Sequence, residues 1–272
     1  MIKALFFDLD GTLLNSEKKI PDSAVNALKQ CRQKGILVFL CSARSPRLAE
    51  TLGWQEQEFS LFDGGIYSNG GYVEAMGESR YAFIDGDTVE KCVEAVCETQ
   101  DVHLSLHTPG HGYAFNFAVN EDLKKSWGIT ESNIRPLNRD TMEHTAKMLV
   151  FWGNLVGETK PMPDALWHKM QAICRGKARL YLTDRGAAMQ LTGLEAGKKA
   201  AVECVRLKLG LAAEEIAVFG DDLNDLEVIS AYPVSIAMGN AVAEIKQAAK
   251  YEVPSNDQDG IARALIMLGL ME

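Results

Sequence analysis

Residues 5–14, Leu5-Phe6-Phe7-Asp8-Leu9-Asp10-Gly11-Thr12-Leu13-Leu14, constrain this chain more than any other stretch. An apolar run delivers two carboxylates, and a Gly-Thr turn stops it. Leu5 to Phe7 read as a buried strand. Side chains alternate along a strand, so Asp8 and Asp10 leave it on the same side. Two carboxylates that close repel each other, and they persist together when they share a cation or a proton. The strand end therefore reads as a site for Mg²⁺ and a nucleophile.

The pattern around this strand predicts an open, mainly parallel sheet. Asp22 or Ser23 is placed to cap a helix after Pro21, with Ala24, Leu28 and Cys31 on one face and Gly35 at its end. Ile36 to Leu40 reads as a second buried strand, closing in Cys41-Ser42-Ala43-Arg44. Strand, helix and strand at this spacing imply a right-handed crossover. From Asp63 the texture changes. Gly64, Gly65, Gly70 and Gly71 around Ser68-Asn69 read as a hairpin. Asp87 or Thr88 then caps a helix whose apolar face is Val89, Cys92, Val93 and Val96. Alternating stretches over 102–107 and 113–119, a strand over 148–152 and a helix bearing Trp167 and Met170 follow. After Leu191 the strand–helix rhythm returns. The helix 198–209 and the strand 216–219 lead into Gly220-Asp221-Asp222-Leu223-Asn224-Asp225. A strand over 234–237, a helix over 241–249 and a last helix capped by Asp259 complete the chain. The expected architecture is α/β: a Rossmann-like three-layer core with a mainly parallel sheet (1–82 and 187–272), and an inserted α+β cap domain (83–186) with hinges near 82–84 and 184–188.

Composition narrows the partners. The 272 residues carry a net charge of −9, which disfavours a surface that tracks nucleic-acid phosphates. No run is long enough to span a bilayer. The first apolar stretch ends at once in Asp8, so no signal-peptide pattern is expected and the cytoplasm follows. Six cysteines without a CxxC pair read as small core residues in a reducing compartment. Oligomeric state is not legible.

Four chemical pieces fall at core strand ends or at a following helix start: Asp8/Asp10, Ser42, Lys198 and Asp221/Asp225. Ligands of open parallel sheets bind at the carboxyl ends of the strands. At this point the chain resembles the haloacid dehalogenase superfamily, in its Cof-like sugar-phosphatase branch, over its whole length. Asp8-Leu9-Asp10-Gly11-Thr12 is similar to the first motif of that family, Ser42 to the second, Lys198 to the third and Gly220 to Asp225 to the fourth. Ala237-Met238-Gly239-Asn240-Ala241 and Asp259-Gly260-Ile261-Ala262 also look like this branch.

The resemblance implies a role for each residue. Asp8 becomes an aspartyl-phosphate. Asp10 protonates the leaving oxygen and then deprotonates water. Asp8, Asp221 and the Asp10 backbone carbonyl hold Mg²⁺, and Asp225 holds metal-bound water. Ser42 donates to the phosphoryl group, and Lys198 supplies fixed positive charge there. Asn224, Thr12, Arg44 and Asn69 complete the cleft. The expected activity is Mg²⁺-dependent hydrolysis of small phosphorylated metabolites, sugar phosphates above all. A phosphomutase acting on hexose phosphates and a non-catalytic phospho-ligand sensor are the rivals.

Two departures stand out. The branch usually writes Thr-Gly-Arg where this chain has Ser42-Ala43-Arg44, and Gly where it has Lys199. Lys199 is therefore the alternative phosphate ligand. Three stretches mimic other sites. Gly193 to Lys199 resembles a P-loop but is one residue short between its glycines and lacks the Ser/Thr. Ile84 to Thr88 mimics the first motif and reads as a helix cap. His103, His107 and His111 are spaced like a helical metal stripe, but Pro109 and Gly110 break such a helix; on the strand read there, His103, Ser105 and His107 share a polar face, expected to be solvated, with a substrate-facing surface as the alternative.

Overall fold

The structure is a computed structural model that describes residues 1–152, 160–183 and 186–271. Residues 184 and 185 of the expected second hinge lie outside the described residues. In chain order the strands are β1 (Ala4–Phe7), β2 (Leu37–Cys41), β3 (Gly64–Tyr67), β4 (Tyr72–Ala75), β5 (Glu78–Tyr81), β6 (Val102–Thr108), β7 (Gly112–Phe115), β8 (Lys147–Trp152), β9 (Ala178–Thr183), β10 (Ala188–Gly193), β11 (Ile216–Gly220), β12 (Ser235–Ala237) and β13 (Tyr251–Glu252). Two compact units hold them. One comprises residues 1–45, 54–80 and 198–272, the other residues 46–53 and 81–197.

The first unit is built on an eight-stranded sheet in the order β13-β12-β11-β1-β2-β3-β4-β5. It is parallel from β13 to β3 and turns antiparallel at the β3–β4 hairpin. Every residue of β1 is buried, because this strand lies between β11 and β2 and both faces are covered. Phe6 and Ala4 join Phe39, Val218 and the inner faces of helices Lys198–Lys208, Leu226–Ala231 and Ala243–Ala248. Leu5 and Phe7 alternate to the other face, the side of helices Asp22–Gln33 and Gly260–Met267, which pack together. Burying each such side chain stabilises the fold by about 1.5–3 kcal/mol. Parallel β1, β2 and β11 bring their carboxyl ends to one edge of the sheet, and this is what positions the site.

Three expected caps are corrected. Pro21 takes the N-cap position, so Asp22 is already helical, with no side-chain cap. Asp85, not Asp87 or Thr88, caps the helix Gly86–Cys97 by accepting from the Thr88 N–H. Asp259 holds its N-cap position in a left-handed conformation, but its carboxylate accepts from Ser23 Oγ at 2.6 Å instead of capping.

The second unit is an antiparallel sheet in the order β7-β6-β8-β10-β9. It extends to residue 197, beyond the return expected near 187, because β10 pairs with both β8 and β9. Helices Gly86–Cys97 and Asp164–Cys174 cover one face. Val89, Cys92, Val93, Val96, Leu166 and Met170 pack there against Leu104, Leu106, Met148, Val150, Met189 and Leu191. The opposite face of β6 departs from the expected solvated surface. Ser105 is fully buried, and the His103 ring lies 4.6 Å from Phe117 and 5.7 Å from Phe151. The His107 ring meets Tyr113 at 4.8 Å and Trp127 at 6.2 Å. Aromatic residues from separate elements cover a strand that, read locally, alternates like an exposed one. Four of the six cysteines are buried as expected, whereas Cys97 is exposed and Cys204 half-buried. Among the described residues no helix is long and apolar enough to cross a membrane.

Candidate active site

Asp8 follows β1 directly, and its N–H donates to the Phe219 carbonyl of β11. The chain then turns tightly. Thr12 and Leu14 N–H donate to the Leu9 carbonyl, and Leu13 N–H donates to that of Asp8. Gly11 sits at φ +80°, and a Cβ built there would lie 2.2 Å from Asp221 Oδ2. Only glycine both adopts this conformation without strain and leaves room for the carboxylate. Gly220 serves the same end after β11: a Cβ there would lie 2.6 Å from the Asp225 Cβ.

Lys198 is the first residue of its helix and is buried. Its Nζ donates to Asp8 Oδ1 and to Asp225 Oδ1, each at 2.6 Å. Lys199 is exposed, so the geometry brings Lys198 to the site. Asp225 spends its other oxygen on the Asp221 and Asp222 N–H groups at 3.1 and 3.3 Å. Asp221 Oδ1 accepts from the Thr12 hydroxyl at 2.7 Å. Asp10 turns elsewhere. It accepts from Arg44 Nε at 2.6 Å, Arg44 Nη2 at 2.9 Å and Lys18 Nζ at 2.7 Å. Ser42, buried after β2, accepts from the Arg44 N–H at 3.1 Å, which leaves its own proton to donate. Asn224 Nδ2 donates to Asn69 Oδ1 at 3.2 Å.

Burial raises the Asp8 carboxyl to about 8, with Asp225 and Asp221 adding to the rise and Lys198 opposing it. Burial also raises Asp221 to about 6, against the Thr12 hydrogen bond. Lys198 is pushed the opposite way to its burial: the Asp225 and Asp8 charges hold it well above its ordinary value, as an ammonium. For Asp10 burial raises, but the Arg44 and Lys18 hydrogen bonds prevail and hold the carboxyl below its usual range.

Asp8, Asp221 and Asp225 each offer a carboxylate oxygen within 4.8 Å of the others. Asp225 is already saturated by Lys198 and two N–H groups, which fits a bracing role. Asp8 Oδ2 and Asp221 Oδ2 have no hydrogen bond from a described residue. Two raised carboxyls with open oxygens, in a cradle cleared by Gly11, fit a hard divalent cation that prefers oxygen ligands.

The profile of the haloacid dehalogenase-like hydrolases matches residues 5–265. The chain belongs to that family. Two phosphatases resemble it end to end. A phosphoglycolate phosphatase of Archaeoglobus fulgidus is 28% identical over 99% of this chain and 98% of its own length. A 5-amino-6-(5-phospho-D-ribitylamino)uracil phosphatase of Bacillus subtilis is 23% identical over 97% and 94%. Among solved structures, the HAD subclass IIB sugar phosphatase BT4131 superimposes with a TM-score of 0.75 at 25% identity, covering 99% of this chain and all of that one. This chain is accordingly a phosphatase with a Rossmann-like core.

Three contributors escaped the sequence reading. Asn240 Nδ2 donates to the Gly11 carbonyl at 2.7 Å. Asn256 N–H donates to Asn240 Oδ1, and Asn256 Nδ2 donates to the Leu14 carbonyl at 2.8 Å. Together they brace both ends of the turn after Asp10. Asn240 lay in a stretch already singled out, but no role was legible. Lys18 gave no signal, being one lysine of a polar turn.

Proposed function

We propose that the protein is a Mg²⁺-dependent phosphatase acting on small phosphorylated metabolites, with sugar phosphates as the favoured class, through an aspartyl-phosphate on Asp8. One observation carries this reading: Lys198 fixes Asp8 by one oxygen and leaves Oδ2 open beside Asp221. The Asp8 carboxylate attacks phosphorus, the ester P–O bond breaks, and the leaving oxygen takes a proton from Asp10. Water then attacks the acyl-phosphate and gives its proton to Asp10, releasing Asp8 and inorganic phosphate. The grip of Arg44 and Lys18 keeps Asp10 ionised, the form the second step needs. The same grip opposes protonation, so the first step requires Asp10 to leave at least one of these cations.

Asp8 and Asp221 would hold Mg²⁺ by carboxylate and Asp10 by its backbone carbonyl. When bound, the ion offsets the repulsion between the carboxylates and the anionic phosphoryl group. Ser42 and Lys198 supply a hydroxyl donor and fixed charge to the phosphoryl oxygens. The phosphoglycolate, ribitylaminouracil and sugar phosphatases among the relatives share the reaction but not the alcohol. The choice of alcohol is therefore assigned to the second unit, as a cap domain. The test is phosphate release from p-nitrophenyl phosphate and a panel of phosphorylated metabolites, with and without EDTA. Release that EDTA abolishes and Mg²⁺ restores is expected. Isomerisation of a hexose phosphate without phosphate release would overturn the hydrolase.

A further inference from the structure

The two helices that cover the second sheet, Gly86–Cys97 and Asp164–Cys174, each bring one cysteine to the other. The Cys92 and Cys174 sulfurs lie 4.0 Å apart, although 82 positions separate them in sequence. Cys92 is fully buried and Cys174 is 3% exposed, and both stand in the apolar cluster with Val89, Leu166 and Met170. Among the described residues neither sulfur has another hydrogen-bond partner.

Burial makes a cysteine inert when nothing can reach it. This pair has an entry. A groove of about 370 Å³ is lined by Trp167, Gln171, Cys174, Arg175 and Gly176. Cys174 faces that groove and Cys92 does not, so Cys174 is the outer sulfur and Cys92 the inner one. Cys174 is also the last residue of its helix. Gly176, two residues on, lies at φ +70°, and a Cβ built there would meet nothing within 4 Å. A disulfide holds its sulfurs about 2.0 Å apart, so these two must close by roughly 2 Å. A helix end beside an open glycine can yield that distance, while Cys92, inside a packed helix, stays in place. The hydrogen bond between the sulfurs holds the Cys174 thiol below its ordinary value, against its burial, and raises that of Cys92. The outer sulfur is thus the readier thiolate.

We propose that Cys92 and Cys174 are a site of reversible oxidation by hydroperoxides, closing to a disulfide that joins the two helices. The Cys174 thiolate attacks one peroxide oxygen. An S–O bond forms, the O–O bond breaks, and the departing oxygen leaves as hydroxide or alkoxide and takes up a proton. The Cys92 sulfur then attacks the sulfenic sulfur of Cys174. The S–S bond forms, the S–O bond breaks, and the hydroxide leaves with the Cys92 proton as water. The two thiols give up two electrons, which the peroxide accepts. A dithiol reductant reverses the cross-link. None of these steps uses Asp8, so the site is independent of the function proposed above.

The test treats the folded full chain with hydrogen peroxide, quenches it, then unfolds and alkylates it before peptide mass mapping. A cross-linked pair of peptides bearing Cys92 and Cys174 is expected, about 2 Da lighter than its parts and lost on treatment with dithiothreitol. In Cys92→Ala the cross-link is absent, and dimedone should trap a sulfenic acid on Cys174. In Cys174→Ala the oxidation of Cys92 should slow at least about 10-fold, because the inner sulfur has no opening to the groove. A merely structural pair would stay reduced while the exposed Cys97 is consumed. Both cysteines still open to alkylation once Cys97 is fully oxidised, Cys174 driven to sulfinic acid in the parent without a cross-link, or Cys92 oxidised as fast without Cys174 would each overturn the site. The mapping of the parent decides even where an alanine variant fails to fold.

Discussion

At the edge of the first sheet the chain satisfies its own buried polar groups; in the second unit four buried polar atoms have no partner among the described residues. Lys198 sits between Asp8 and Asp225, Asp225 caps two N–H groups, Thr12 holds Asp221, and Arg44 with Lys18 holds Asp10. In the second unit Gln190, Thr192 and His107 of the sheet, with Arg47, keep buried polar atoms that have no hydrogen-bond partner among the described residues. The difference is between groups already held in place and groups that the described residues leave unpaired. A phosphoryl-transfer site gains from groups already in place, since they need no reorganisation during reaction. A recognition face gains from groups that only the right ligand pairs.

This contrast can be broken by substitution. Asp8→Asn should lower turnover at least about 10⁴-fold, because it removes the proposed nucleophile and keeps its hydrogen-bonding shape. Retained phosphate release, in protein freed of contaminating phosphatase, would remove Asp8 from its role. Lys198→Met should cost about 3–5 kcal/mol in denaturant unfolding, since it strands two buried carboxylates. Thr192→Val, which keeps the volume and removes a hydroxyl unpaired among the described residues, should instead melt above the parent, and the pair of unfolding curves tests the comparison directly. Gly11→Ala should cost about 1–3 kcal/mol and raise the Mg²⁺ concentration needed for half-maximal activity, because the added methyl meets Asp221 at a left-handed backbone position. Normal metal dependence in that variant would disprove the cradle.

A gentler probe is pH. The Asp8 and Asp221 carboxyls, raised from 3.8 to about 8 and about 6, keep protons in the folded chain that the unfolded chain has released. Stability of metal-free protein should therefore fall as pH rises from about 4 to 8, with added Mg²⁺ restoring more at pH 8 than at pH 5. Asp10 works the other way: its lowered carboxyl stabilises above the usual carboxylate range, and that contribution is lost on acidification. A melting temperature that rises from pH 5 to pH 8 in EDTA would contradict the raised pair. The smallest effect belongs to Lys18→Ala, below about 1 kcal/mol, because that ion pair is largely exposed.

The sequence made the first region readable and the second obscure for a physical reason. Asp8, Asp10, Ser42 and Asp221 stand where apolar runs of parallel strands end, and strand ends are marked locally by the change of residue type. Lys198 is marked by its helix start. What failed needed knowledge of distant chain. Caps slipped to Pro21 and Asp85, a shift of one to three residues. Alternation in His103-Leu104-Ser105-Leu106-His107 gave the strand correctly but said nothing of Phe117, Phe151 and Trp127, which come from elsewhere to cover its polar side. Asn240 is likewise silent until the Gly11 carbonyl is beside it.

The Lys198–Asp8 contact spans 190 positions of sequence. A ribosome making about 5–20 residues per second therefore needs roughly 10–40 seconds to supply the partner of the aspartate it has already released. Until then β1 also lacks β11, its neighbour on one side. The nascent first eighty residues therefore carry an apolar strand with one neighbour missing. The cluster of Asp8, Lys198 and Asp225 cannot close until residue 225 has been made.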